Sequence, residues 1–467
     1  MPHTNRHTPF FCFLLILFWV SALWGQSPDS VIAIEGATLI DGTGRAPLAR
    51  MTILIEGNRI HQIGKQGELT PPRGARVISA SGKYIIPGLI DSHVHYRHPW
   101  MHKLFLANGV TTVRDLGGDI ERVLTLRQEI RVGNILAPRL FVSGMGINPR
   151  SMKALNFSSP GEMTEALVKA GVDGIKVTGY TPSELEEIVE VAHANGLIVY
   201  GHTGPMVDGR APGALLAIQS GLDGIEHINA LIEDSQEGTL ELPGEFDATL
   251  RDHLFRYWYG RVHRKFNKTK ADRLIQLMVQ EGVYWAPTLV NSSRHERTPE
   301  ELASDPALRY IPEGSLDTQT RFGDEAHQDW KQTVALAKSL IRQFHEAGGL
   351  LIAGTDTPGA ALPGWSVHQE MELFVQAGIS PMAALQTATL NNAKVLQQDK
   401  QLGTVEVGKY ADLVILDADP LEDIHNARKI HRVIKNGLLL DPQELLEENL
   451  KQFGERGERQ FDMSGRR

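Results

Sequence analysis

Apolar residues change their spacing several times along the chain, and each change marks a boundary. Behind Arg6, residues 10–24 form an almost unbroken apolar run. From 30 to 88 the apolar positions fall into short runs at 31–34, 51–55 and 59–63, separated by Asp41-Gly42-Thr43-Gly44 and Glu56-Gly57-Asn58, which is turn chemistry between strands. Strand-like runs then alternate with helical spacing. The first ends at His93 and His95, and others occupy 110–113, 139–142, 174–177, 197–200, 224–227, 283–286 and 350–353. Between them, residues 182–195 place Leu185, Ile188, Val189, Val191 and Ala192 on one helical face before the stop Asn195-Gly196. Eight such units predict a parallel α/β fold, a (β/α)8 TIM barrel. Strand texture returns at 403–408, 411–416 and 431–437. A small β-sandwich domain built from both chain ends is therefore expected.

The resulting organisation is a signal peptide at 1–25, an N-terminal sandwich segment at 26–88, the barrel at 89–398, a C-terminal sandwich segment at 399–440 and a tail at 441–467. Residues 231–270 and 290–330 are longer than a barrel connection needs, and are expected to act as lids. In the N-terminal run, Ser21, Ala22 and Gly25 supply the small residues of a cleavage site, and the run is short for a bilayer span. An extracytoplasmic protein without stable membrane insertion follows as the expectation. The single cysteine, Cys12, lies inside that segment, so the mature chain needs no disulfide. With 42% hydrophobic and 22% charged residues the composition is globular, and a net charge of -9 offers no basic field for nucleic acid. The partner expected is a small-molecule substrate, with a homo-oligomer left open.

Candidate chemistry begins at His93-Val94-His95, where the apolar strand Tyr84-Ile85-Ile86-Pro87-Gly88-Leu89-Ile90 runs out. Side chains at i and i+2 of a strand share a side, so the two imidazoles converge as a common metal ion requires. Barrel active sites form at the C-terminal ends of strands. Those ends carry, in order, His93 and His95, Lys176, His202, His227 and Asp356. Singly each has an ordinary role, as a surface lysine, a core histidine or a helix cap before Pro358. Six ligand types at the ends of one barrel's strands are hard to assign to chance.

Pro87-Gly88-Leu89-Ile90-Asp91-Ser92-His93-Val94-His95, Asp173-Gly174-Ile175-Lys176, Tyr200-Gly201-His202, Gly224-Ile225-Glu226-His227, Gly354-Thr355-Asp356 and Gly408-Lys409-Tyr410-Ala411-Asp412-Leu413 together resemble the metal-dependent amidohydrolase superfamily. The likeness runs over roughly residues 30–440 and is greatest to the prolidase and imidazolonepropionase-related branch. It implies two divalent metal ions, with His93, His95 and Asp356 on one, His202 and His227 on the other, and Lys176 bridging them as a carbamate. Charge agrees with this, because four neutral histidines cannot offset two divalent ions and an unmodified lysine would be repelled. Desolvation yields the neutral amine that adds carbon dioxide. Imidazole and carboxylate suit zinc first, with manganese, cobalt and iron as alternatives.

Asp356 is then the expected catalytic proton acceptor and donor, and Tyr180 a candidate oxyanion donor or an ordinary loop tyrosine. Arg97 and His98 are candidate substrate-binding residues, and Arg256, Arg261 and Arg294 could also meet a carboxylate. The branch often has a tyrosine two positions after the strand-five histidine, where this chain has Gly204 after Thr203, a departure that bears on dipeptidase activity. The expected function is a secreted binuclear hydrolase of a small amide or peptide bond, in a dipeptide or N-acyl amino acid. A cyclic amide or lactone hydrolase of the imidazolonepropionase type is the alternative, and a non-catalytic binding protein on the same scaffold is the alternative of a different class.

Overall fold

The computed structural model describes residues 31–204, 212–238, 258–315, 324–359 and 361–453, with a few positions between 239 and 257. The expected signal peptide, the end of the expected tail and Arg256 lie outside the described residues. Alternating apolar positions drive the first segment into strands β1 (Ile32–Leu39), β2 (Leu48–Glu56) and β3 (Arg59–Lys65), an antiparallel meander. Strands β4 (Arg76–Ser79) and β5 (Tyr84–Pro87) then pair parallel with the free side of β1.

The chain next enters the barrel. Strands β6 (Leu89–Val94), β7 (Val110–Asp115) and β8 (Arg139–Val142) make one parallel sheet. A second holds β9 (Ile175–Val177), β10 (Val199–Gly201), β11 (Gly224–Glu226) and β12 (Tyr284–Ala286). The ladders do not close into one sheet, but single contacts bridge the gaps. Asp173 N donates to Val142 O at 2.7 Å, and Ile147 bridges Val177. On the far side Trp285 bridges Leu351, Ser92 N donates to Ala353 O at 3.1 Å, and Val94 bridges Thr357.

The eighth strand expected at 350–353 is thus a stave without a ladder. Its backbone is diverted where Thr355 donates through N and Oγ1 to Asp91, at 3.1 and 2.7 Å, and Asp356 turns to φ 59°. The expected helix is present as Pro182–Ala194, capped by reciprocal bonds between Thr181 and Glu184, with Leu185, Ile188 and Ala192 buried. No helix among the described residues is long and apolar enough to cross a membrane.

After the barrel, β13 (Leu413–Leu416), β14 (Ile430–Lys435) and β15 (Leu438–Leu440) add to β5, completing the small domain from both ends of the chain. All eight strands are hydrogen-bonded in one continuous sheet around a shared apolar core, where two separate layers were expected. Asp412, from the Gly408–Leu413 motif, is the joint between the domains. Its carbonyl accepts from Gly88 N at 2.8 Å, at the entry to β6. Its carboxylate accepts from Lys435 Nζ at 2.9 Å and Asn436 N at 2.7 Å, and lies 3.4 Å from the Arg139 guanidinium of β8. Burial would raise its pKa, but the Lys435 and Arg139 charges outweigh that and hold it below the usual range.

Removing this carboxylate leaves Lys435 buried and unpaired. Asp412→Ala is expected to cost about 3–5 kcal/mol of stability, the usual penalty for breaking a buried pair. Urea titration measures the loss, and metal content of the folded fraction should be unchanged because Asp412 is a joint and not a ligand.

Candidate metal centre

The six predicted ligand residues are gathered at the C-terminal ends of the barrel strands. His93, the fifth residue of β6, is fully buried; its Nδ1 meets Glu226 Oε2 at 2.7 Å and its Nε2 faces Asp356 Oδ1 at 3.5 Å. His95 Nε2 approaches the same Oδ1 at 3.1 Å. His202, just past β10, and His227, just past β11, meet through Nε2 at 2.9 Å. Rings of His93 and His227 lie 4.8 Å apart, and ligand atoms of His93, His227 and Asp356 all fall within 4.8 Å of one another. Lys176, at the centre of β9, is buried, and its Nζ has no hydrogen-bond partner among the described residues. Close approach of the staves is needed here: a Cβ on Gly354 would sit 2.7 Å from that of His93.

Burial, with the nearby Lys176 charge, holds His93 and His202 well below the usual histidine pKa, and burial also lowers His227. Neutral imidazoles are what metal binding requires. Burial depresses Lys176 to about 8. For Asp356 burial acts upward, but the His95 hydrogen bond and the neighbouring histidines outweigh it and keep the carboxyl ionised. Four imidazoles, one carboxylate and an amine with no bonding partner among the described residues form a donor set that fits divalent metal ions.

A second layer fixes these groups. Glu226 accepts from Arg114 Nη2 at 2.9 Å and Tyr284 OH at 3.0 Å besides His93. Arg114 also donates to Ser92 O at 2.7 Å and to Tyr284 OH at 2.9 Å, and lies over the Tyr200 ring at 4.3 Å. The carboxylate therefore holds the His93 Nδ1 proton and leaves Nε2 as the ligand atom. Thr288 Oγ1 meets His227 Nδ1 at 2.6 Å, and Asn291 Nδ2 donates to Asp356 Oδ2 at 2.6 Å. Arg114, Thr288 and Asn291 were not anticipated, and Glu226 appeared only as a motif neighbour of His227.

The other expected residues are placed differently. Tyr180 is buried and donates through OH to His202 O at 3.0 Å, so in this structure it ties two strand ends together and its proton is already committed. It also lines a cavity of ≈ 360 Å³ with Ile147, Met152, Phe157 and Ile188. On the loop after β6, Arg97 is exposed and its carbonyl accepts from Arg122 Nη1 at 2.7 Å, while His98 stacks on Trp100 at 5.6 Å. Arg261 is buried and pairs with Asp329 at 3.1 Å and Glu325 at 2.8 Å. Arg294 is buried on the loop that follows β12.

Residues 84–440 match the profile of the amidohydrolase family. The ochratoxinase of Aspergillus niger is 23% identical over 489 aligned residues, covering 88% of this chain and 86% of that protein. Among solved structures, a Xaa-Pro dipeptidase with methionine bound in its active site superposes with a TM-score of 0.64 at 23% identity, over 88% of this chain and 100% of the other. A molinate hydrolase superposes with a TM-score of 0.63 at 21% identity, over 89% and 96%. Curated relatives also include deaminases and dihydroorotases.

Glu226→Gln keeps the shape but gives His93 an amide in place of a charged acceptor. Loss of such an outer partner typically weakens metal binding by about 10–100-fold. Competition against a chelator, with near-ultraviolet circular dichroism confirming the fold, checks this, and wild-type affinity would exclude an orienting role for Glu226.

Proposed function

This chain belongs to the amidohydrolase family, and on that premise we propose that it is a secreted binuclear metal-dependent amidohydrolase cleaving a small amide or peptide bond, of the dipeptide or N-acyl amino acid type. The observation that carries the reading is the convergence of His93, His95, Lys176, His202, His227 and Asp356, with the Lys176 amine buried and unpartnered among the described residues. Divalent ions held by these groups, zinc first by ligand type, would supply the positive charge that activates a water and polarises the scissile carbonyl.

The chain's own residues do the rest. Lys176 Nζ, lowered to about 8, is neutral often enough near neutral pH to add carbon dioxide; the new N–C bond forms, one proton leaves, and a carbamate replaces a cation. Asp356 Oδ1 faces the cluster and takes a proton from the attacking water, then delivers it to the leaving nitrogen. Glu226 accepts from His93 Nδ1 and Thr288 Oγ1 occupies His227 Nδ1, so both rings turn Nε2 toward the cluster. The apolar run at 10–24, taken as a secretion signal, favours scavenged peptides or N-acyl amino acids over intracellular metabolites. A cyclic amide or lactone hydrolase would use the same centre, and dihydroorotases among the relatives favour testing it. A binding protein without catalysis would not need all six ligand positions filled.

Turnover on a panel of dipeptides, N-acyl amino acids, cyclic amides and lactones separates these readings. On the best amide, Lys176→Ala should lose most activity and some of the bound metal, and acetate or propionate should partly restore both. Unchanged metal content and rate would overturn the binuclear assignment. Asp356→Asn keeps one coordinating oxygen but cannot take a proton at neutral pH. Its kcat should fall by about 10²–10⁴-fold with KM little changed, and near-normal turnover would remove Asp356 from the proton path.

A further inference from the structure

We propose that the left-handed turn at Thr288, with the short helix Leu289–Ser293 that it starts, is a positioning clamp that sets the two metal subsites against each other. This rests on the binuclear reading above. Thr288 has φ 46° and ψ 44°, a conformation that sterics disfavour strongly for a β-branched residue. Such a turn persists only where its surroundings over-determine it.

Two sets of contacts hold it. Behind the turn, Glu370, fully buried on helix Trp365–Gln376, accepts from Leu289 N at 2.8 Å and Val290 N at 2.6 Å, two backbone donors that a helix start leaves without partners. In front, Thr288 Oγ1 meets His227 Nδ1 and Asn291 Nδ2 meets Asp356 Oδ2, each at 2.6 Å. Three residues apart on one short element, they grip one ligand from each expected set: His227, which pairs with His202, and Asp356, which faces His93 and His95.

Each grip also decides which atom the ligand offers. An ionised carboxylate only accepts, so the Asn291 amide must donate to it; with Oδ2 taken, Oδ1 is the oxygen turned to both histidines. With Nδ1 taken by Thr288, His227 presents Nε2. His227 and Asp356 themselves have φ 70° and 59°. Three non-glycine residues in left-handed conformations thus meet at one hydrogen-bonded junction, and release of the turn would let all three relax.

The test uses the full chain and reads metal stoichiometry and affinity as well as rate. Thr288→Val keeps the β-branch but not the hydroxyl, and Asn291→Ala removes the amide. Each should weaken metal binding about 10–100-fold and lower kcat while leaving KM near wild type. Thr288→Ser, which restores a hydroxyl, should return close to wild-type affinity, a rescue that a merely structural threonine would not show. If the turn acts as a unit, the double variant should lose clearly less than the product of the single losses. Circular dichroism and thermal melting show whether each variant is folded. Wild type holding two ions, with both single variants unchanged, overturns the clamp alone. Wild type holding fewer than two overturns the binuclear reading and the spacing role together.

Discussion

Glu226 has a fully buried side chain directly beneath the histidines, and a bare carboxylate there would be strongly destabilising. Arg114 makes it tolerable. The guanidinium spans Glu226, Tyr284 and the Ser92 carbonyl and lies against the Tyr200 ring, so each of its donors has a partner or an aromatic face. Burial alone would lower the Arg114 pKa, yet Tyr284 and Glu226 reverse the direction and keep it charged. Because that pair is balanced, the second oxygen of Glu226 is free to hold His93, and the orientation of the first ligand follows. The rest of the centre is referenced to this fixed imidazole: Asp356 N donates to the His93 carbonyl at 2.7 Å, and Gly354 makes room for its Cβ.

Much of the barrel and the six residues gathered at its strand ends were legible because strand ends are announced by local sequence. His93-Val94-His95 follows an apolar run, and Lys176, His202 and His227 each end or follow one. Arg114 was not legible, since one arginine in Val110–Asp115 reads as a surface position and its partner Glu226 is 112 residues away. Asn291 carries no signal either. It depends on a left-handed turn at a threonine, where sequence rules look for glycine or asparagine. Tyr180 has the right chemistry for an oxyanion donor, but the proximity of the His202 carbonyl commits its proton to a strand end. The eighth stave lost its ladder for a related reason: Gly354-Thr355-Asp356 follows the demands of Asp91 and His93, not those of a neighbouring strand.

The two long connections show how local patterning and function separate. Residues 231–270 and 290–330 have the length of lids, and their arginines the chemistry of carboxylate binders. Within the described residues, Arg261 and Arg264 of the first are instead fixed to Asp329 on helix Asp324–Glu346, with Nη2 of Arg264 2.8 Å from Asp329 Oδ1. The beginning of the second supplies Asn291, whose contact is with Asp356. Among the described residues, then, Asn291 near a strand end reaches the centre, while Arg261 and Arg264 serve packing against helix Asp324–Glu346.

Charge accounts for why Lys176 stands where it does. The charges that act on Lys176 are two carboxylates, Glu226 and Asp356, and the Arg114 guanidinium. Glu226 and Asp356 both act to raise the Lys176 pKa, but burial acts harder and in the opposite direction. That depression suits the carbamate proposed at Lys176, because only the neutral amine reacts with carbon dioxide. A carbamate at Lys176 would turn one positive charge into one negative charge, leaving the same cluster in negative excess. The site would then favour cations at the point where the rings of His93, His95, His202 and His227 converge. A permanent carboxylate at this position would carry that excess through folding, whereas an unmodified lysine would not.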